Sequence, residues 1–211
     1  MKTFSNKYIF VYVSVLVLVV AVLLTAVSLG LKPRQEANRK AEKAAQILRA
    51  AGYHDVDGSE AVALFEQVAQ RASGDGERET YHIRCADGEN GLVVYVNGKG
   101  LWGAIWGYVV LAEDLNTVKG IVFSHKSETP GLGANITEEK FSSAFVGKKL
   151  YDEKGNFVSV RVLKAGQGSD VPDVHRVDAI SGATLTSKGV DAMLMESLPE
   201  VIAKLKTVNK K

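Results

Sequence analysis

"GLVVYVNGKGLWGAIWGYVVLAEDLNTVKGIVFSHKSE", residues 91–128, decides the fold. Its β-branched and aromatic residues come in short runs, "GLVVYVNG", "GAIWGYVVLAED" and "NTVKGIVFSHKSE", which read as consecutive strands. The "EDLN" between the last two carries Asp and Asn, whose side chains bond their own backbone, and reads as a hairpin turn. Just upstream, from Thr80, "YHIRCAD" adds one more strand.

Outward from this block the period turns helical. Before it, "SEAVALFEQVAQRA" predicts a helix with Ser59 as its cap. After it, "NITEEKFSSAFVG" predicts a short helix, in which Asn135 and Glu138 have capping-box spacing. "NFVSVRVLKAG" reads as a further strand. A Gly-, Pro- and Asp-rich loop then leads through Val177 to a C-terminal helix from about Thr184, with Pro199 as a candidate break and a lysine-rich tail. Grouped strands with helices before and after predict an α+β domain, a mostly antiparallel sheet flanked by helices.

The N-terminal quarter is different. "YIFVYVSVLVLVVAVLLTAVSLGL", Tyr8 to Leu31, holds no charge between Lys7 and Lys32. As a helix it spans the roughly 30 Å hydrocarbon core of a bilayer. A secretory signal is the competing reading, given Lys2 and Lys7, but its apolar region should be only about 7–15 residues and end at a small-x-small site. This run favours a retained single-pass anchor. It contains no ionisable residue of the kind that marks ion paths, so this chain alone conducts nothing. "KPRQEANRKAEKAAQILRAAG" follows, with Pro33 suited to a first helical turn, Gly52 to a stop, and a thin apolar stripe between. The domain plan is therefore an anchor at 1–32, a juxtamembrane helix at 33–52 and one domain at 53–211. Lys32, Arg34, Arg39, Lys40 and Lys43 favour a cytoplasmic C-terminal domain, a weak rule when the following domain is long.

Net charge is +2 with no concentrated basic face, and no nucleic-acid motif is present. The single cysteine, Cys85, excludes an internal disulfide or a cysteine cluster, and its strand setting predicts a buried or half-buried thiol. His54, His82, His125 and His175 show no ligand spacing and read as surface or capping residues; no metal site is predicted.

Three stretches can carry chemistry. "DAISGATLTS" sets Ser181, Thr184, Thr186 and Ser187 at a helix start. One or two hydroxyls suffice as caps, while the free N–H groups and dipole also make a phosphate seat, with Gly182 and Ala183 admitting a bulky ligand. "SETPGLGAN" reads as a surface loop, or as bare backbone around Leu132 suited to a flat aromatic ligand. In "NGKGLWGAIWGYVV" the glycines mark bends or leave space for a ligand. Trp102 and Trp106 there share a strand face and are more often core than stacking partners. Lys164, after a later strand, is a solvated charge or a phosphate counter-ion.

Together, "GLKPRQEANRKAEKAAQILRAAG", "GLWGAIWGY", "DLNTV", "ETPGLG", "GKKLYDE" and "SGATLTSKGV" resemble the C subunits of the sodium-translocating NADH:quinone oxidoreductases over nearly the whole chain. The G subunit of Rnf-type ferredoxin:NAD complexes shares "ETPGLG" and the Ser-Gly-Ala-Thr motif, but "GLWG" and "DLNTV" favour the former family. The resemblance implies an FMN-binding domain in which Thr184 is esterified to the FMN phosphate. A flavin transferase consuming FAD would make that bond, reading Asp178, Ser181, Gly182, Ala183 and Thr184. It further implies Thr186 and Ser187 with Ser181 at the phosphate and ribityl end. Glu128, Thr129, Gly131, Leu132 and Gly133 would line the ring, with Trp102 and Lys164 nearby. The chain would be an electron carrier with no catalytic residue of its own. It would relay electrons from an intramembrane iron–sulfur centre to a second covalent FMN on the B subunit and on to quinone. Its partners would be the A, B, D, E and F subunits and the lipid of a bacterial inner membrane, with the domain on the periplasmic face. A membrane-tethered module for a free small molecule, or an anchor subunit without redox role, stays open. Ala134 and Asn135 stand where the family has glycine and an acid, and Phe141 near an expected tryptophan.

Overall fold

A computed structural model of the chain describes residues 5–73, 79–167 and 170–208, with side chains as far as Lys204; the terminal part of the lysine-rich tail and Gly168 and Ser169 of the loop lie outside them. The chain forms two compact units, 1–41 and 42–211. In the first, helix α1 (Asn6–Ala50, running on into the second unit) is long and apolar enough to cross a membrane, and all its side chains through Lys40 are exposed. Thr25 satisfies its hydroxyl internally by donating to the Ala21 carbonyl at 2.8 Å, as polar groups in an apolar helix must. The helix passes Pro33 without ending there, so the anchor and the juxtamembrane segment form one element rather than two.

The second unit is built on an antiparallel sheet of five strands in sequence order: β1 (Ala69–Ser73), β2 (Thr80–Arg84), β3 (Asn90–Lys99), β4 (Ala104–Leu111) and β5 (Val118–His125). β3 and β4 pair from Leu92↔Leu111 to Lys99↔Ala104. Because successive side chains alternate, Leu92, Val94 and Val96 face one side and Val93 the other, and both faces are buried. On Val93's side lie Tyr81, Ile83, Tyr108 and Val110, covered by the last turns of α1 (Ala44, Ile47, Leu48) and by helix α2 (Gly58–Val68). Gly120 makes this cover possible, since a Cβ there would lie 2.0 Å from the Ala50 carbonyl oxygen.

The other face carries the larger core. Val109, Ile121 and Phe123 meet Ile136 of a 3-10 turn (Gly133–Thr137), Phe141 of the short helix α3 (Glu139–Ser143), Phe145 and the C-terminal helix α4 (Thr184–Val208). Val190, Met193, Leu194 and Leu198 form the buried stripe of α4, which continues through Pro199 without a break. Two short strands, β6 (Arg161–Leu163) and β7 (Arg176–Asp178), pair in parallel, and β6 lies against α4. Arg161 donates twice to the Asp191 carboxylate, at 2.9 and 3.0 Å, and the Val162 N–H donates to the same group, pinning β6 to α4.

Several local expectations change. Ser59 lies inside α2, behind Asp57, and "AQRA" leaves the helix because Ala69 to Ser73 pair with β2. Asn135 sits within the 3-10 turn and makes no capping box, and Glu138 occupies the cap position of α3 without a side-chain bond. The strand at "NFVSVRVLKAG" shrinks to Arg161–Leu163 because Ser159 adopts a left-handed φ of 60°. Val177 is not loop but the centre of β7. Among the scattered histidines, His175 is buried, with its Nδ1 donating to the Lys149 carbonyl at 2.7 Å. Cys85 is buried as well, and that burial pushes its thiol pKa up despite the opposing charge of Lys119.

Candidate functional site

Three loops meet at the start of α4. The first is the turn between β3 and β4, residues 100–103. The second, 127–133, leaves the end of β5. The third, 179–183, carries β7 into α4. β6 sets the approach of the third: Leu163 pairs with Asp178, the Ala179 N–H donates to the Leu163 carbonyl at 2.7 Å, and Lys164 stands exposed just beyond. Gly182 then takes a φ of 79°, which glycine alone adopts without strain, and turns the chain into the helix. A Cβ on Gly182 would come within 2.9 Å of Leu132 Cδ2, so the second loop lies directly on the third. The helix also seats closely on the first loop. At Gly189 a Cβ would stand 2.3 Å from the Lys99 carbonyl oxygen.

The four hydroxyls divide into two pairs. Thr186 and Ser187 are each only 1% exposed. Ser187 Oγ accepts from the Ile180 N–H at 3.1 Å, closing the loop back on the helix, and Thr186 Oγ1 donates to Glu128 Oε2 at 2.6 Å. These two hydroxyls, expected at the phosphate, point inward because the α4 stripe that holds Val190 and Met193 takes in their positions too. Ser181 and Thr184 remain exposed, as does Gly182, while Ala183 is buried. Thr184 is the first residue of α4, at the positive end of its dipole.

Glu128 joins the loops. Its carboxylate is buried; Oε1 accepts from the Trp102 N–H at 2.8 Å, and the Gly103 N–H is a further donor. Burial opposes its ionisation, but the bonds from Thr186, Trp102 and Gly103 and the nearby His125 outweigh that and hold its carboxyl below the ordinary value. His125 Nδ1 accepts from the Glu128 N–H at 3.2 Å, and Ser127 Oγ donates to the Trp102 carbonyl at 3.1 Å.

Trp102 is not on a strand face beside Trp106. It lies in the β3–β4 turn with 66% of its surface exposed, whereas Trp106 pairs with Asn97 and Ser124 inside the sheet. Thr129 and Gly131 are exposed and Gly133 is buried. Outside α1, the large apolar side chains exposed among the described residues are Leu101, Trp102, Leu132, Val146 and Leu185, and all but Val146 belong to the three loops or the first turn of α4. Such clustering marks a binding surface. Leu101 and Leu185 escaped the sequence reading; Leu185 had a signal, since it falls out of phase with the buried stripe of its own helix. Among the described residues no group of three or more His, Cys, Asp or Glu side chains could hold a metal.

Residues 100–198, which span all three loops, match the family model described as an FMN-binding domain. The C subunit of the Na(+)-translocating NADH-quinone reductase from Neisseria meningitidis serogroup B is 32% identical over 82% of this chain and 82% of its own length. This chain belongs to that C-subunit family. The Pseudomonas aeruginosa member is 31% identical over 85% of this chain and 86% of its own. The crystal structure of the Parabacteroides distasonis member superposes with a TM-score of 0.73 at 36% identity, over 83% of this chain and 96% of that one. NqrC from Shewanella oneidensis superposes at 0.64, with 27% identity, over 80% and 98%. The expected α+β architecture, one apolar N-terminal helix followed by an FMN-binding domain with an antiparallel sheet, is the family's fold.

Proposed function

We propose that this protein is the FMN-carrying C subunit of a sodium-translocating NADH:quinone oxidoreductase, with FMN held as a phosphoester of Thr184. The observation that carries the reading is the division of the hydroxyls. Within "SGATLTS", Thr186 and Ser187 are buried and bonded, while Thr184 stands exposed at the first position of α4, and the same loops and helical turn carry a shelf of exposed apolar side chains. A phosphate fits the helix start by its free N–H groups and dipole. The ring of a flavin fits Trp102, Leu132 and Leu185, whose exposure in water is otherwise unfavourable. FMN, when bound, supplies one-electron redox chemistry, and the protein contributes placement and electrostatics.

Attachment would proceed by attack of the Thr184 hydroxyl oxygen on the flavin-side phosphorus of FAD, in the active site of a flavin transferase. The oxygen–phosphorus bond forms, the pyrophosphate bond breaks with adenylate leaving, and the hydroxyl proton passes to the transferase. Asp178 is exposed on β7 just ahead of the loop, where such an enzyme can read it. Helix α1 would anchor the protein in the inner membrane with the domain on the periplasmic face. A covalent link there prevents loss of the cofactor. Electrons would arrive from an intramembrane iron–sulfur centre and leave to the FMN of the B subunit on the way to quinone, coupled in the complex to sodium export. The A, B, D, E and F subunits are the proposed partners.

Substitution Thr184→Ala tests this reading. The full chain, co-expressed with the flavin transferase, is expected to fold and to lose in-gel flavin fluorescence. Fluorescence persisting in that variant would remove Thr184 as the attachment point.

A further inference from the structure

We infer that Glu128 is a positioning residue, which locks the tryptophan turn to the first turn of α4 so that Thr184 and the apolar shelf are presented together for flavin attachment. The inference rests on Thr184 being the acceptor. It departs from a ring-lining role for Glu128, because both carboxylate oxygens are already engaged: Oε1 by the Trp102 N–H, Oε2 by the Thr186 hydroxyl.

A carboxylate in a buried position is costly unless its lone pairs are met. Here the chain goes to some length to meet them. Two glycines open the slot that holds the group: a Cβ on Gly100 would lie 2.5 Å from Oε1, and one on Gly133 would lie 2.5 Å from Oε2. The donors come from elements far apart in sequence, Trp102 in the β3–β4 turn and Thr186 on α4, while Glu128 itself sits on the loop leaving β5. One side chain on the second loop therefore ties the first loop to the first turn of α4. Apolar packing does little of this work there, since Leu101, Trp102 and Leu185 are exposed and Leu132, itself 43% exposed, lies against Gly182 of the third loop. Thr184 precedes Thr186 by two residues on the same helical turn, so releasing Thr186 frees the turn that carries the acceptor.

The hydrogen-bond inventory separates geometry from charge. Glutamine can keep every contact, its carbonyl oxygen accepting from Trp102 and Gly103 and its amide donating to a rotated Thr186 hydroxyl. Alanine keeps none. Valine at 186 removes the helix end of the bridge alone.

The test uses the full chain in detergent with purified flavin transferase and FAD, reading the initial rate of flavin fluorescence incorporated at saturating FAD. Glu128→Ala and Thr186→Val are each expected to slow attachment about tenfold or more, as misplacement of a reacting group does. Their double variant should be no slower than the slower single one, because both remove the same bridge. Glu128→Gln should recover at least about half of the wild-type rate. Ile83→Ala, in the core on the opposite face of the sheet, controls for lost stability; it should melt lower yet label at the wild-type rate. Wild-type labelling in Glu128→Ala would overturn the positioning role while leaving Thr184 as acceptor. So would a loss in Glu128→Gln equal to that in Glu128→Ala, or an equal loss in Ile83→Ala. Absence of label in the wild type, with a known acceptor labelled alongside, would instead overturn the acceptor reading itself.

Discussion

Gly133→Ala adds one methyl group at the most crowded point of the site. Gly133 does not have a left-handed backbone, so alanine fits its conformation and the cost is steric. The new Cβ would stand 2.5 Å from both Glu128 Oε2 and Thr186 Oγ1, at least 0.5 Å inside the 3.0 Å that real Cβ contacts respect. Those two oxygens are bonded to each other at 2.6 Å, so the methyl group can be accommodated only by parting them or by shifting the loop. A hydrogen bond to a charged group contributes about 1.5–3 kcal/mol, and an extra methyl in a tight core costs about 1–3. The two costs relieve each other in part, giving about 2–4 kcal/mol of destabilisation. For a domain of this size that lowers Tm by roughly 5–15 °C. Thermal melts of the full chain in detergent, followed by tryptophan emission, read the effect. Gly131→Ala is the comparison: its φ of 75° makes alanine strained, but no atom lies within 4 Å of the new Cβ. It should lose only about 1 kcal/mol. A Gly133→Ala chain that melts with the wild type would refute the close packing of glycine, glutamate and threonine.

Three further outcomes are expected. Asp191→Ala removes both bonds to Arg161 and the acceptor for Val162 N–H; the pair is partly exposed, so a loss of about 1–2 kcal/mol in chemical denaturation should result. Ser159→Gly relieves a φ of 60° at a fully buried residue whose hydroxyl has no protein partner. After subtracting the greater freedom of glycine in the unfolded chain, it should stabilise by about 0.5–1 kcal/mol, read as a higher denaturation midpoint. Because the folded-state pKa of Glu128 is depressed, its ionised form stabilises the fold above the ordinary carboxyl value, about 4.3, and that contribution fades as pH falls through the folded value. The stability gap between wild type and Glu128→Gln should therefore shrink on acidification from pH 5 to pH 3; a constant gap would show that charge at Glu128 contributes nothing.

The sheet was legible because β3, β4 and β5 are long, rich in β-branched residues and bounded by turn chemistry that acts locally. Asp114 accepting from the Asn116 and Thr117 N–H groups is such a case. The short elements were not, since their pairing is decided by tertiary contact. β6 and β7 are three residues each and exist because each pairs with the other across a long loop, with β6 held in turn by Asp191 on α4. The α1 boundary at Pro33 misled for a related reason: proline suits a helix start, yet the helix here runs through it. At the site, motif reading located the Ser-Gly-Ala-Thr turn and the glycine loop. It could not sort the hydroxyls, because which of them face inward depends on the rotation of α4 against the sheet. Nor could it see the bridge, since nothing in the sequence links Glu128 to Trp102 and Thr186.

The most direct test of the account is the intact mass of the full chain after co-expression with the flavin transferase, followed by mapping of the modified peptide. An increment the size of FMN is expected on the peptide containing Thr184, and none in Thr184→Ala. A mass equal to the bare chain, beside a control acceptor that is modified, or an increment carried by another residue, would contradict it.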